Sequence, residues 1–285
     1  MSKNIKLKCG IVSIIGLPNA GKSTLLNNIL NEKVSIISHK VQTTRTAIRG
    51  IFNSGHSQII FIDTPGLLKP RTFLDKNMTR SILHSIEDSD INIFLCDITK
   101  KEEFIKNKLL KELILSNKRN FLVINKIDLL EKPNLLSSTA QINASYAFHQ
   151  TFMISALKNK GIEKLVSSIK NEVPEKDWLY EKSIKTDQKL DFTLSEITRE
   201  KIFQLLNEEL PYSINISSNI VDKKNFLKIY QNIVVNKKSQ KPIIIGKNGE
   251  KIKEIGIRAR KDMEKKLNKK IYLDILVSVQ KSSFN

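Results

Sequence analysis

The run Gly16-Leu17-Pro18-Asn19-Ala20-Gly21-Lys22-Ser23 constrains this chain more than any other feature. It follows the apolar stretch Leu7–Ile15 and precedes Leu25, Leu26 and Ile29, apolar residues at helical spacing. Strand, glycine-bearing loop and helix in that order form an anion cradle. The glycines admit close backbone approach, and the loop amides and helix start face a phosphate. In such a cradle Lys22 bridges terminal phosphates and the Ser23 hydroxyl is the expected Mg²⁺ ligand, with Thr24 next to it on the helix.

From Leu7 to about Asn171 the chain carries strand candidates at Leu7–Ile15, Ser57–Ile62, Ile91–Cys96, Asn120–Ile124 and Thr151–Ile154, alternating with helix-like segments such as the one containing Leu109, Leu110, Leu113 and Ile114. Alternation of this kind predicts an α/β fold, a mostly parallel sheet with helices on both faces, binding its ligand at the carboxyl ends of the strands. Three further motifs fall at such ends. In Asp63-Thr64-Pro65-Gly66 the carboxylate can hold Mg²⁺ through water and the Gly66 amide can sense a γ-phosphate. Asn125-Lys126-Ile127-Asp128 discriminates more sharply. The Asp128 carboxylate can accept from the N1–H and exocyclic amine of guanine, which adenine does not offer, so a buried site built for those donors rejects adenine. Ser155-Ala156-Leu157 places a backbone amide for guanine O6. Leu67 stands where many small GTPases carry a water-orienting glutamine, and leucine can neither donate nor accept. Slow intrinsic turnover follows.

Composition sets the partners. The formal charge is +19, and from Lys223 onward 17 Lys and Arg stand against 5 Asp and Glu, which predicts attraction to a polyanion. No apolar run nears the roughly eighteen residues of a membrane span, and the Lys3–Ile15 start reads as a first strand, not a leader. Cys9 and Cys96 lie in apolar runs and read as buried, reduced thiols of a cytoplasmic protein.

After about residue 173 the rhythm breaks. Residues 174–192 read as a polar linker, and residues 193–285 as a small α+β domain ordered helix (Thr193–Glu209), strand (Tyr212–Val221), strand (Phe226–Asn236), helix, turn, helix, strand (Ile271–Val279). The turn Gly246-Lys247-Asn248-Gly249 has the G-x-x-G spacing that lets a nucleic-acid backbone approach, as in a type II KH domain. Lys247, Lys251 and Lys253 are candidates for phosphate contact. Ile245, Ile252 and Ile255 read as groove wall or core, with core the better account of most of them.

On these motifs, and on Lys40-Val41-Gln42-Thr43-Thr44-Arg45, the chain resembles the Era family of GTPases, within the translation-factor-related class of P-loop proteins. Ser195–Lys201, Glu209-Leu210-Pro211-Tyr212-Ser213, Ile255–Met263 and the linker residues Pro174, Tyr180 and Asp187 carry the likeness through the second domain. The resemblance implies a G domain over residues 1–173 that binds GTP and GDP. It implies Thr44 as a further Mg²⁺ ligand in a first switch, and Asn19 as a candidate ligand for a potassium ion. It also implies binding to small-subunit ribosomal RNA, a role in assembling that subunit as a monomer, and some association with the inner membrane face. Leu17 and Ala20 depart from commoner family choices at variable loop positions, and the short tail Gln280–Asn285 lacks the Trp-Arg-rich ending often seen. Two rival readings stand beside this one: a passive RNA binder that scarcely hydrolyses its nucleotide, and a membrane-surface GTPase.

Overall fold

The computed structural model describes residues 6–37, 47–67, 73–115, 119–206 and 214–280. The Lys40–Arg45 run, Thr44 included, lies outside these residues, as does Glu209–Ser213. The chain divides into two units, Met1–Asp187 and Gln188–Asn285.

The first unit is a six-stranded sheet in the order β2-β3-β1-β4-β5-β6. Its strands are β1 (Lys8–Gly16), β2 (Ile48–Ser54), β3 (Ser57–Asp63), β4 (Ile91–Asp97), β5 (Asn120–Asn125) and β6 (Gln150–Met153). Only β2 runs antiparallel. Every residue of β3, β4 and β5 is buried, as expected of parallel strands covered on both faces. One face packs Val12, Phe61, Ile93 and Phe121 against α1 (Lys22–Leu30) and α6 (Ile162–Glu172). The other packs Ile15, Phe94, Leu122 and Ile124 against α2 (Phe73–Glu87), α3 (Lys101–Lys106), α4 (Lys108–Leu115) and α5 (Lys132–Ser145).

Strand β2 is an addition to the sequence reading. Its pattern is interrupted by Arg49, Gly50 and Asn53, which hid it. Gly50 leaves room for packing: a Cβ at this position would lie 2.5 Å from Leu30 Cδ1 and 2.7 Å from Leu26 Cδ1, so a larger residue would push the α1 leucines aside.

The segment expected as a linker is held to the first unit as far as Thr186 and Asp187. Cys9 N–H donates to Pro174 O, Ile51 N–H donates to Lys185 O, and Gln58 Oε1 accepts from the amides of Leu179 and Tyr180. Trp178, Tyr180 and Ile184 pack on Cys9, Ile51 and Ile60. The tryptophan and tyrosine are therefore a cover for that corner of the sheet.

The second unit contains α7 (Leu190–Leu205), β7 (Ile214–Lys223), β8 (Phe226–Val235), α8 (Gln240–Ile245), α9 (Glu250–Leu267) and β9 (Lys270–Val279). Its sheet runs β7-β8-β9, antiparallel then parallel. Alternate sheet residues such as Ile229, Ile233, Ile271 and Val277 point into a core shared with Leu194, Ile202, Ile244, Ile255 and Met263 of the helices. Ile245 and Ile252 pack against the same core, so all three isoleucines near the glycine turn are structural.

Candidate functional site

Parallel register aligns the carboxyl ends of the central strands. Ile14 is level with Asp63, Gly16 with Leu95, and Asp97 with Asn125. The four sequence motifs therefore meet along one edge of the sheet.

The phosphate loop bends out of β1 and returns as α1, with Asn19 (φ 62°) and Gly21 (φ 100°) in the left-handed region. Gly21 has a second reason to be glycine, since a Cβ there would lie 2.3 Å from Asn125 Nδ2. Lys22 is buried and donates to Gly16 O and Leu17 O, both at 3.0 Å. Burial pushes its ammonium down to about 8, with Asp63 pulling weakly the other way. An ammonium held at such expense among loop carbonyls is ready to accept an anion.

Asp63 ends β3 fully buried, and its Oδ2 accepts from Ser23 Oγ at 2.6 Å and from Ser35 Oγ at 2.8 Å. Ser35 was not legible in the sequence, because a serine in a polar stretch carries no pattern. Its placement comes from Asn27 of α1, whose Oδ1 accepts from the amides of Val34 and Ser35 while its Nδ2 donates to Ser35 O. Oxygen donors of this hardness, Ser23 beside the Asp63 carboxylate, fit Mg²⁺. Thr64 Oγ1 donates to Ile14 O at 2.7 Å, and Gly66 passes so close to Pro18 that a Cβ would lie 3.0 Å from Pro18 Cα. Leu67 donates its amide to Gly16 O and buries its side chain in the core cluster with Ile15 and Ile82. The residue at the glutamine position is thus a packing residue.

Asn125 ties three motifs together. Its Nδ2 donates to Ala20 O at 2.8 Å, and its Oδ1 accepts from Ala156 N at 2.9 Å. Asn28 Nδ2 donates to Ala156 O from the other side. Lys126, with φ 63°, donates to Asp97 Oδ2 at 2.5 Å, and Asp97 also caps the turn that follows β4 through Thr99 N. Asp97 is a second residue that sequence pattern does not single out, because its place level with Asn125 is set by strand register. Asp128 lies near Lys158, with Nζ to Oδ2 at 3.6 Å. The Ser155 hydroxyl beside it, helped by Lys158, holds its carboxyl below the usual carboxylate range. The acid is ionised at neutral pH, as acceptance from two guanine donors requires. Ala156 is buried and Leu157 is 79% exposed, so this last motif contributes backbone, not an apolar wall.

In the second unit the turn between α8 and α9 holds Gly246 (φ 74°), Asn248 (φ 51°) and Gly249 (φ 79°). Gly246 is confined: a Cβ there would lie 2.7 Å from Lys251 Cγ. Gly249 faces open space, with nothing within 4 Å of such a Cβ. Lys247, Lys251 and Lys253 are all exposed around it. The turn offers bare backbone with exposed lysines in it and just after it in the chain, which suits a phosphodiester chain.

Comparison with known proteins follows the same division. Residues 11–126 match the family described as 50S ribosome-binding GTPase, and residues 209–283 match the KH domain. GTPase Era of Syntrophus aciditrophicus (strain SB) is 41% identical over 284 residues, covering 98% of this chain and 92% of the relative. GTPase Era of Rhizobium meliloti (strain 1021) is 39% identical over 280 residues, covering 98% and 90%. Among solved structures, Era in complex with MgGDPNP and nucleotides 1506–1542 of 16S ribosomal RNA superposes with a TM-score of 0.89 at 39% identity, covering 97% of this chain and 95% of that one. A variant of Aquifex aeolicus Era bound to GDP and AlF₄⁻ gives 0.90 at the same identity and coverage.

Proposed function

The chain belongs to the Era family of GTPases, and from that premise we propose that it is a GTP-driven switch that binds small-subunit ribosomal RNA and acts in the cytoplasm in assembling that subunit. It hydrolyses GTP to GDP and phosphate. The observation that carries the nucleotide reading is Asn125, whose two hydrogen bonds lock the phosphate loop, the Asn-Lys-x-Asp motif and the Ser-Ala-Leu motif into one frame.

Each group then has a task that its surroundings support. Lys22 exchanges its carbonyl partners for phosphate oxygens, recovering the charge that burial disfavours. Ser23, Asp63 and the Thr44 of the first switch are the residues to hold Mg²⁺, which when bound neutralises charge on the β- and γ-phosphates. Ser35 keeps the Asp63 carboxylate facing Ser23. Asp128 accepts from guanine and, being ionised, does so strongly. Leu67 takes no part in orienting water, so the intrinsic reaction is slow, and Asn19 is our candidate for recruiting potassium near the phosphates.

The RNA reading is supported by the glycine turn, by the exposed Lys247, Lys251 and Lys253 in and after it, and by the RNA fragment bound to the superposed Era. One experiment tests the whole: GTP turnover by the purified chain, with and without small-subunit ribosomal RNA, in potassium and in sodium chloride. Turnover should rise with RNA and be faster in potassium. Equal rates in the two salts would remove the potassium role of Asn19, and rates indifferent to RNA would remove the coupling between the units.

A further inference from the structure

Among the described residues, the helices of the second unit cover one face of its sheet only. On the opposite face strand register sets Phe226, Lys228 and Tyr230 of β8 beside Lys270, Tyr272 and Leu276 of β9, alternating with the core residues Leu227, Ile229 and Ile271. Tyr230 is 40% exposed, Tyr272 47% and Leu276 63%. The groups are interleaved. Phe226 is level with Lys270 and Lys228 with Tyr272, so these two rings each have an ammonium as cross-strand neighbour, while Tyr230 is level with Asp274. Lys228 Nζ lies 4.8 Å from the centre of the Tyr230 ring, Lys270 Nζ lies 5.3 Å from that of Tyr272, and Phe226 meets Tyr272 edge-on at 4.8 Å.

A solvated sheet face needs neither rings nor leucine, because its stability comes from the other side. The chain holds only five tyrosines, and two of them stand here in water. We propose that this open face is a second RNA-binding surface, a stacking platform for single-stranded RNA distinct from the Gly246–Gly249 turn. The proposal rests on the reading of the second unit as an RNA binder and adds where a further stretch of the same kind of ligand lies. Exposed rings on a sheet accept unstacked bases on their faces, and neighbouring lysines neutralise the phosphates between them. The cation now over each ring can move to a phosphate when a base takes its place. A membrane surface fits less well. Insertion calls for a continuous apolar ridge, whereas here Lys228 and Lys270 alternate with the rings along their strands, and Asp274 sits level with Tyr230, where an anionic bilayer would repel it.

The test uses the full chain, a single-stranded RNA of about 20 nucleotides and one of about 4, the latter too short to span two surfaces. Five proteins are compared: wild type, Gly249→Asp, Tyr230→Ala with Tyr272→Ala, the triple variant that combines these, and Tyr230→Phe with Tyr272→Phe. Loss of both rings should weaken binding of the long RNA by about tenfold or more, and Gly249→Asp should leave a residual affinity that the triple variant loses. Tyr230→Phe with Tyr272→Phe should bind like wild type, since stacking is kept. Unchanged far-ultraviolet circular dichroism and an unchanged thermal transition of the second unit would establish that the alanine variant is folded. If it is not, Lys228→Glu with Lys270→Glu asks the same question through charge.

Long-RNA affinity that ignores the ring and charge variants in both backgrounds would overturn the proposal, as would complete loss of binding in Gly249→Asp alone. Ring loss that abolishes binding to phosphatidylglycerol vesicles but spares RNA would overturn it in favour of a membrane surface. A wild-type chain that binds neither RNA would instead sink the RNA-binding reading on which it rests.

Discussion

At the scale of single residues, the site is built from groups held in uncomfortable states that a nucleotide relieves. Lys22 is the clearest. In the free protein its ammonium titrates at about 8, well below the ordinary lysine value, because burial outweighs the pull of Asp63. Phosphate beside it raises that value, so the bound form takes up a proton that the free form has lost wherever the pH exceeds about 8. Nucleotide affinity is therefore expected to be flat up to about pH 8, then to fall by up to roughly tenfold per pH unit. Calorimetric titration of GDP between pH 7 and 9, in buffers of different ionisation enthalpy, would show this as proton uptake that grows with pH. A flat affinity with no uptake would mean the lysine stays charged in the free loop. The same group opposes folding of the free protein below about pH 8, because the unfolded lysine is then comfortably charged, and this penalty fades as pH rises towards the ordinary lysine value. In the proposed site Asp128 carries the base choice. Replacing it by Asn puts an amide donor against guanine donors, and GTP affinity should drop about 10²-fold or more, while xanthosine triphosphate, which offers an acceptor, should gain. Competition between the two nucleotides measures it, and retained guanine preference would move the base pocket elsewhere.

At the scale of elements, the loops at the sheet edge are defined by one another more than by their own sequences. Gly21 caps the start of α1 with left-handed backbone and lies under the Asn125 amide, while Asn125 in turn holds Ala20 and Ala156. Gly21→Ala should cost on the order of 1–3 kcal/mol of stability from backbone strain. It should also weaken GTP binding by more than this strain alone, because the Asn125 side chain must leave its two partners. Thermal unfolding with and without GTP separates the two parts: a shift equal in both would mean that the frame around the nucleotide had survived. The sheet edge also explains Leu67. Its position just past Gly66 is that of a catalytic group, yet the chain there turns its side chain under the sheet into the cluster of Ile15 and Ile82. A leucine in that place adds to the core instead of the reaction.

At the scale of the molecule, the two units have separate cores, the first on both faces of a mostly parallel sheet and the second on one face of a three-stranded one. Residues 188–285 expressed alone should therefore fold and keep RNA affinity, with a dispersed amide spectrum as the readout. A collapsed spectrum would show that the second core depends on the first. Much of this was already set by the sequence. Periodicity marked five of the six strands of the first sheet, the glycine and Asn-Lys-x-Asp spacings marked the nucleotide edge, and the charge of the last third marked a polyanion partner, because period, turn chemistry and charge are local properties that survive in one dimension. What the tertiary structure decided is everything set by a distant neighbour. The interrupted strand Ile48–Ser54 exists because β3 pairs with it and α1 needs the room at Gly50. Residues 174–187 are covering, not linker, because Gln58 and the Cys9–Ile60 corner bind them. Ser35 and Asp97 join the site, and Tyr230 and Tyr272 share one open face, only through contacts and register between segments far apart in the chain.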